Sequence, residues 1–270
     1  MTSNNKSQKT KPLILLTNDD GFYAEGINIL FNKLQPLGQI YIVAPDRERS
    51  ATSLALTLHN PLRVKTIQEN IFAVDGTPAD CIYLAVQHLL PRKPDMIISG
   101  INPGPNLGQQ DISYSGTVAG AIQGTFLQIP SFAVSSLPDG QGKPPFRFSA
   151  SIVFSLAKLL LSKPLPPGIT LNLNIPYPPV KGIKIAKLGQ KRYNPEIEVK
   201  KDPRHRDYYW IGTGTPKAIG DKESDVMIIK EGYISVTPLH RDLTDYYALT
   251  LVELKNIFLN INNEISKKTV

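Results

Sequence analysis

The stretch Pro12-Leu-Ile-Leu-Leu-Thr-Asn-Asp-Asp-Gly21 decides the fold. A short apolar run stops abruptly at two adjacent carboxylates and a glycine. Such a run reads as a strand buried on both faces of a parallel sheet. Asp19 and Asp20 then stand at its C-terminal end, the edge where open α/β sheets bind ligands. Two neighbouring carboxylates repel unless a cation neutralises them or one takes up a proton, so the pair asks for a metal ion. Gly21 permits a sharp turn that brings both side chains to one ion, although successive strand residues face opposite ways. Asn-Asp-Asp-Gly is also good chemistry for a solvated turn, and the stretch alone leaves both readings open.

Working outward, strand-like runs recur at 40–44, 62–66, 71–74, 95–98 and 131–135. Helical spacing appears between them: Ile27, Leu30, Phe31 and Leu34, then Ile82, Ala85, Val86 and Leu89, then Val118, Ile122, Thr125 and Phe126. The second helix has a clear start, with Thr77 as N-cap, Pro78 in the first turn and Asp80 at N3. This alternation predicts an α/β, Rossmann-like, mostly parallel sheet flanked by helices. After Ser136 an exposed loop (138–145), a helix (147–161) and strands at 169–174, 182–187, 206–211 and 232–237 follow. They extend the sheet and add β-hairpins, and Leu249–Ile261 reads as a C-terminal helix. The expected organisation is a disordered tail over 1–11 and a single domain over 12–270. Its core spans about 12–145, and the later strands, a hairpin and a helix occupy about 146–270.

Composition narrows the class. The chain has 270 residues, 41% hydrophobic and 20% charged, ordinary values for a globular protein. The lone cysteine, Cys81, excludes an internal disulfide, suits a reducing compartment and reads as a small core residue. The first apolar run is too short for a signal peptide and no stretch approaches the ~20 apolar residues of a membrane span. A soluble, cytoplasmic protein with no membrane partner is expected. Of the net charge of +7, Lys6, Lys9 and Lys11 supply +3 and the last eight residues +1, which leaves +3 for the body. That excess favours anionic substrates mildly.

Three segments fall at the C-terminal ends of expected parallel strands: Asn18-Asp19-Asp20, Pro45 to Ala51, and Gly100 to Gly108. As neighbours they would form one crevice offering two carboxylates, a hydroxyl from Ser50 or Ser53 and an amide oxygen from Asn102 or Asn106. All-oxygen ligands suit a hard divalent ion, Mg²⁺, Mn²⁺ or Ca²⁺. A fourth segment, Ser113 to Ala121, runs small hydroxyl residues and glycine into a helix start, where free N–H groups and the helix dipole favour an anion such as phosphate. Plain N-capping by Ser115 is the alternative. No G-x-x-x-x-G-K-[ST] and no G-x-G-x-x-G after the first strand exist, which argues against P-loop nucleotide hydrolysis and dinucleotide binding. The basic and aromatic residues of 190–210, among them Lys191, Arg192, Tyr193, Tyr208, Tyr209 and Trp210, fit either a nucleic-acid-binding module or a β-hairpin with aromatic cross-strand pairs.

TNDDG (17–21), APDRERSATS (44–53), GTPADC (76–81), SGINPGPNLG (99–108) and YSGTVAGA (114–121), with EGYISVTPLH at 231–240, together resemble the SurE family of stationary-phase survival proteins. The resemblance implies a metal-dependent phosphatase acting on nucleoside 5′-monophosphates, with 3′-monophosphates and short polyphosphate as further substrates. It implies one divalent metal ion per subunit on Asp19, Asp20, Ser50 and Asn102. It places Asp19 and Asp20 as catalytic residues, and Asn18, Asn106, Ser113, Ser115, Gly116 and Thr117 around the substrate phosphate. It further implies a homodimer or homotetramer assembled through the projecting hairpin, and no nucleic-acid partner. Pro103 stands where the family pattern often carries Arg.

Overall fold

The computed structural model describes residues 11–193, 196–212, 214, 216–253, 255–259 and 261. The expected tail therefore lies, but for Lys11, outside the described residues. In chain order the elements are β1 (Leu13–Thr17), α1 (Glu25–Leu34), β2 (Gln39–Pro45), β3 (Val64–Gln68), β4 (Ile71–Val74), α2 (Pro78–Leu84), β5 (Met96–Pro103), α3 (Gly108–Tyr114), α4 (Gly116–Phe126), β6 (Ser131–Ser136) and α5 (Phe146–Ser162). There follow β7 (Ile169–Ile175), β8 (Ile183–Ile185), β9 (Gln190–Arg192), β10 (Ile197–Lys201), β11 (Asp207–Ile211), β12 (Lys217–Ile219), α6 (Asp225–Lys230) and β13 (Ile234–His240).

Nine strands form one sheet in the order β3-β4-β2-β1-β5-β6-β7-β13-β8. β4, β2, β1, β5, β6 and β7 are joined by parallel pairs, as are β13 and β8, while β3 runs antiparallel to β4. β1 shows why: Ile14 and Leu16 enter the core under α1 and α5, whereas Leu13 and Leu15 enter the core under α2. A strand buried on both faces has to be apolar without alternation. α1 contributes Ile27, Leu30 and Leu34 as its buried stripe. α2 starts with the expected reciprocal cap, Thr77 accepting from the Asp80 N–H and Asp80 from the Thr77 N–H at 2.9 Å. It does not run on as a regular α-helix to Leu89, because Ala85–Leu89 widen into a π-helical turn. Cys81 is buried in the core, as expected.

From β1 the chain moves to β2 and β4 on one side, and later to β5, β6 and β7 on the other. The switch point lies between β1 and β5, and ligand crevices open at such points. β3 sits two residues beyond the expected 62–66. β5 runs on to Pro103 instead of ending near 98, with a register shift against β6 between Ser99 and Asn102. Gly100 permits this bulge: its φ is +132° and an added Cβ would stand 2.3 Å from the Val134 carbonyl oxygen.

The basic and aromatic segment folds as a ribbon: β9 pairs with β12, and β10 pairs antiparallel with β11, setting Val199 opposite Tyr209 and Lys200 opposite Tyr208. Among the described residues no helix is long and apolar enough to cross a membrane. One compact unit runs to Leu239 and a second begins at His240. Within the second, Asp242 accepts from the Thr244 N–H at 2.9 Å and from the Tyr246 hydroxyl. Residues 252–253, 255–259 and 261 are helical; of the rest of the expected helix Leu249–Ile261, Leu249 and Thr250 belong to a 3₁₀ turn (Ala248–Thr250), Leu251 is in neither element, and residues 254 and 260 lie outside the described residues.

Candidate active site

β2, β1 and β5 are adjacent and parallel, so the three motif loops leave the same edge of the sheet side by side. Asn18 closes the first loop on itself: its side-chain amide donates to the Gly21 carbonyl at 2.9 Å and its Oδ1 accepts from the Gly21 N–H at 3.2 Å. Asn18 is fully buried, so it shapes the turn that carries the two aspartates. The second loop is stitched to the first, Arg49 donating its N–H to the Asp19 carbonyl at 2.7 Å and Phe22 its N–H to the Pro45 carbonyl at 3.0 Å.

Asp19 is buried against the start of α4. The Thr117 hydroxyl donates to its Oδ1, and the Thr117 backbone N–H supports the same carboxylate. Ser115 caps the helix through its hydroxyl oxygen, which accepts from the Val118 N–H at 3.1 Å. The helix N-terminus expected to hold phosphate thus faces a carboxylate of the chain itself, a favourable arrangement for a negative charge. The approach is close enough to require glycine at 116, since an added Cβ would lie 2.8 Å from the Asp19 Cβ. Gly116→Ala is expected to displace Asp19 and to cost both turnover and about 1–3 kcal/mol of stability by overpacking, which activity assays and urea unfolding would measure together. Wild-type values for the alanine variant would refute the close packing.

The two aspartates differ. Burial raises the carboxyl of Asp19, and the hydrogen bonds from Thr117 offset part of that rise. Asp20 has no side-chain donor of this kind, only a backbone hydrogen bond that lowers it less than its surroundings raise it. Burial first, then the charge of Asp19, then that of Glu48 push its carboxyl up to about 7. Its Oδ2 is buried and, among the described residues, accepts no hydrogen bond. A buried anionic oxygen without a donor is costly, and a proton or a cation relieves it. Ser50 is exposed on the second loop with its hydroxyl donating to Glu48 at 2.7 Å, and Asn102 uses its amide on the Gly104 carbonyl at 2.9 Å. The bulge in β5 aims Asn102, in register with Ser135 of β6, away from the strand's regular path. Among the described residues neither Ser50 nor Asn102 is hydrogen-bonded to an aspartate. No three His, Cys, Asp or Glu side chains cluster as a metal site among those residues either. A cation on Asp19 and Asp20 would complete its shell from neutral oxygens, which Ser50 and Asn102 carry.

Other sequence candidates have internal partners. Ser53 donates its hydroxyl to the Ser113 carbonyl at 2.8 Å, tying the second loop to α3. Ser113 is exposed and bonds back to the Gln109 carbonyl at 2.7 Å. Asn106 donates its amide to Ser135 at 2.8 Å, while its backbone is held by Asn172 and Asn174. None of these partners is an aspartate. Sequence reasoning overlooked two further carboxylates that hold α3 in place, Asp111 within the helix and Asp225 outside it. Asp225 is fully buried and accepts from the N–H groups of Gly108 and Gly189, each at 2.8 Å. These partners lie 117 and 36 residues away, and no local pattern marks them.

The family model described as Survival protein SurE matches residues 14–195. A 5′-nucleotidase SurE from Geobacter sulfurreducens is 46% identical over 243 residues, covering 89% of this chain and 92% of that protein. One from Geotalea daltonii is 45% identical over 248 residues, covering 91% and 99%. The crystal structure of a SurE protein from Aquifex aeolicus superposes with a TM-score of 0.78 at 38% identity, covering 91% of this chain and 100% of that one.

Proposed function

The chain belongs to the SurE family, and on that premise we propose that it is a divalent-metal-dependent 5′-nucleotidase, a phosphoric monoester hydrolase releasing nucleoside and phosphate from nucleoside 5′-monophosphates. The observation that carries this reading is the orphaned Oδ2 of Asp20 beside Asp19, at the switch point between β1 and β5. Buried paired carboxylates facing a crevice are the donor set of a hard cation. Asp19, Asp20, Ser50 and Asn102 would hold one Mg²⁺, Mn²⁺ or Ca²⁺ per subunit. When bound, the ion neutralises the carboxylates and polarises the phosphoryl oxygens.

The chain's own groups do the rest. Thr117 orients Asp19 by donating to it and offsets part of the rise that burial gives its carboxyl. Asn18 and Gly21 set the turn that holds Asp20 beside it. Asn106 and the Ser113 to Thr117 segment wall the space in which the substrate phosphate is proposed to lie. The exposed Ile197, Val199, Tyr208, Tyr209, Trp210 and Ile211 of the ribbon support assembly into a homodimer or homotetramer. 3′-Monophosphates and short polyphosphate are proposed as secondary substrates.

The test is phosphate release from AMP, GMP, CMP, UMP, ATP and tripolyphosphate, with and without chelator. AMP and GMP are expected to be hydrolysed, ATP more poorly because its extra charges must fit the same crevice, and chelator should abolish all turnover. A marked preference for ATP, or activity confined to non-nucleotide esters, would overturn the nucleotidase reading.

A further inference from the structure

We infer that Asp111 is a positioning residue: it fastens α3 to the foot of the β9/β12 ribbon and so fixes the turn that presents Gly116 and Thr117 to Asp19. α3 has seven residues, of which only Gly108 is fully buried. A helix so short has little stability of its own, and polar bonds therefore decide where it sits. The Asp111 carboxylate takes three of them. Oδ2 accepts from the Leu107 N–H at 3.2 Å and from the Lys191 ammonium, and Oδ1 accepts from the Tyr193 hydroxyl at 2.5 Å. The Asp111 and Lys191 side chains are only 10% and 11% exposed. The carbonyl of the same residue accepts from the Ser115 N–H at 2.9 Å, and Ser115 is the cap of α4. Asp111 thus links the ribbon to α4 without touching Asp19.

A second fastening runs in parallel. Gln109 donates its N–H to the Gly189 carbonyl at 3.0 Å, and Asp225 bridges the N–H groups of Gly108 and Gly189. The segment around 189–193 therefore grips α3 at its N-terminus and its middle. Burial and the neighbouring Asp111 charge hold the Tyr193 hydroxyl well above its usual range, so it remains a donor at any working pH.

The inference rests on the nucleotidase reading for its turnover readout only; hydrogen exchange tests it separately. Tyr193→Phe removes one donor and leaves the ion pair. The double variant Asp111→Asn with Lys191→Met removes the pair without stranding a buried charge. In both, exchange of the 113–119 amides should quicken about 3- to 10-fold and kcat should fall by a similar factor, the worth of one or two hydrogen bonds. Solution mass by light scattering and exchange in β1 and β5 should match wild type. Unchanged exchange at 113–119 in both variants would overturn the inference. Faster exchange spread equally over β1 and β5, or a changed mass, would overturn it too, because α3 would then be held by the fold or the assembly at large. A wild-type chain that hydrolyses no phosphate ester would sink the nucleotidase reading while the exchange result still decides the role of Asp111.

Discussion

Asp20→Asn is expected to lose turnover by at least about two orders of magnitude and yet to make the metal-free protein more stable at pH 8. The loss follows from removing a charged oxygen from a site built around two carboxylates. The gain follows from linkage. The folded carboxyl of Asp20 sits at about 7, above its ordinary value of 3.8. The native state therefore binds this proton more tightly than the unfolded chain does. Metal-free stability falls as pH rises from about 4 to about 7 and is level above, the total being on the order of 4 kcal/mol as an upper bound. Asparagine carries no charge and removes Asp20's share of the slope, leaving that of Asp19. Urea unfolding of chelator-treated wild type and variant at pH 5 and pH 8 measures it, and equal slopes would refute the assignment. Asp19→Asn should lose turnover as severely; its raised carboxyl gives the same sign of relief at pH 8, but the loss of the anion that Thr117 and the start of α4 hold opposes it.

Metal binding should stabilise the wild type strongly and in a pH-dependent way. A cation competes with the proton on Asp20, so apparent affinity should rise about tenfold per pH unit below 7 and level off above it. At about 100 times the Kd, Mn²⁺ or Mg²⁺ should add about 2.7 kcal/mol to unfolding stability. Titration calorimetry in buffers of different ionisation enthalpy should find close to one proton released at pH 6 and almost none at pH 8. Asp20→Asn should show neither the thermal shift nor the proton release. An affinity that ignores pH would mean that Asp20 is not a ligand.

The sheet was legible because its central strands are buried on both faces, and burial leaves an unbroken apolar run such as Leu13 to Leu16. The twin aspartates were legible because they end that run. The cap of α2 was legible because Thr77, Pro78 and Asp80 carry it within four residues. What escaped was non-local. α3, α6, β9 and β12 are short, and bonds from Asp225 to Gly108 and Gly189, and from Asp111 to Lys191 and Tyr193, set their places. Gly100 read as the end of a strand, whereas it lets the strand continue through a bulge. The role of Thr117 was half legible: its motif marked the helix start, but only the fold shows that it faces Asp19.

That bulge also fixes which kinds of sequence change the crevice tolerates. Ile98 and Ile101 share the core under α1 and α5, three positions apart, where a regular strand would put them on opposite faces. The extra residue inverts the parity of everything downstream, and Asn102 owes its side of the sheet to that inversion. Straightening the bulge at unchanged length, as a substitution of Gly100 would press the strand to do, would impose regular alternation on the same residues. It would then turn Ile101 toward the crevice and the Asn102 amide into the hydrocarbon core. Substitutions elsewhere along β5 can tune the site in small steps, whereas losing the bulge at constant length exchanges its inside for its outside in one.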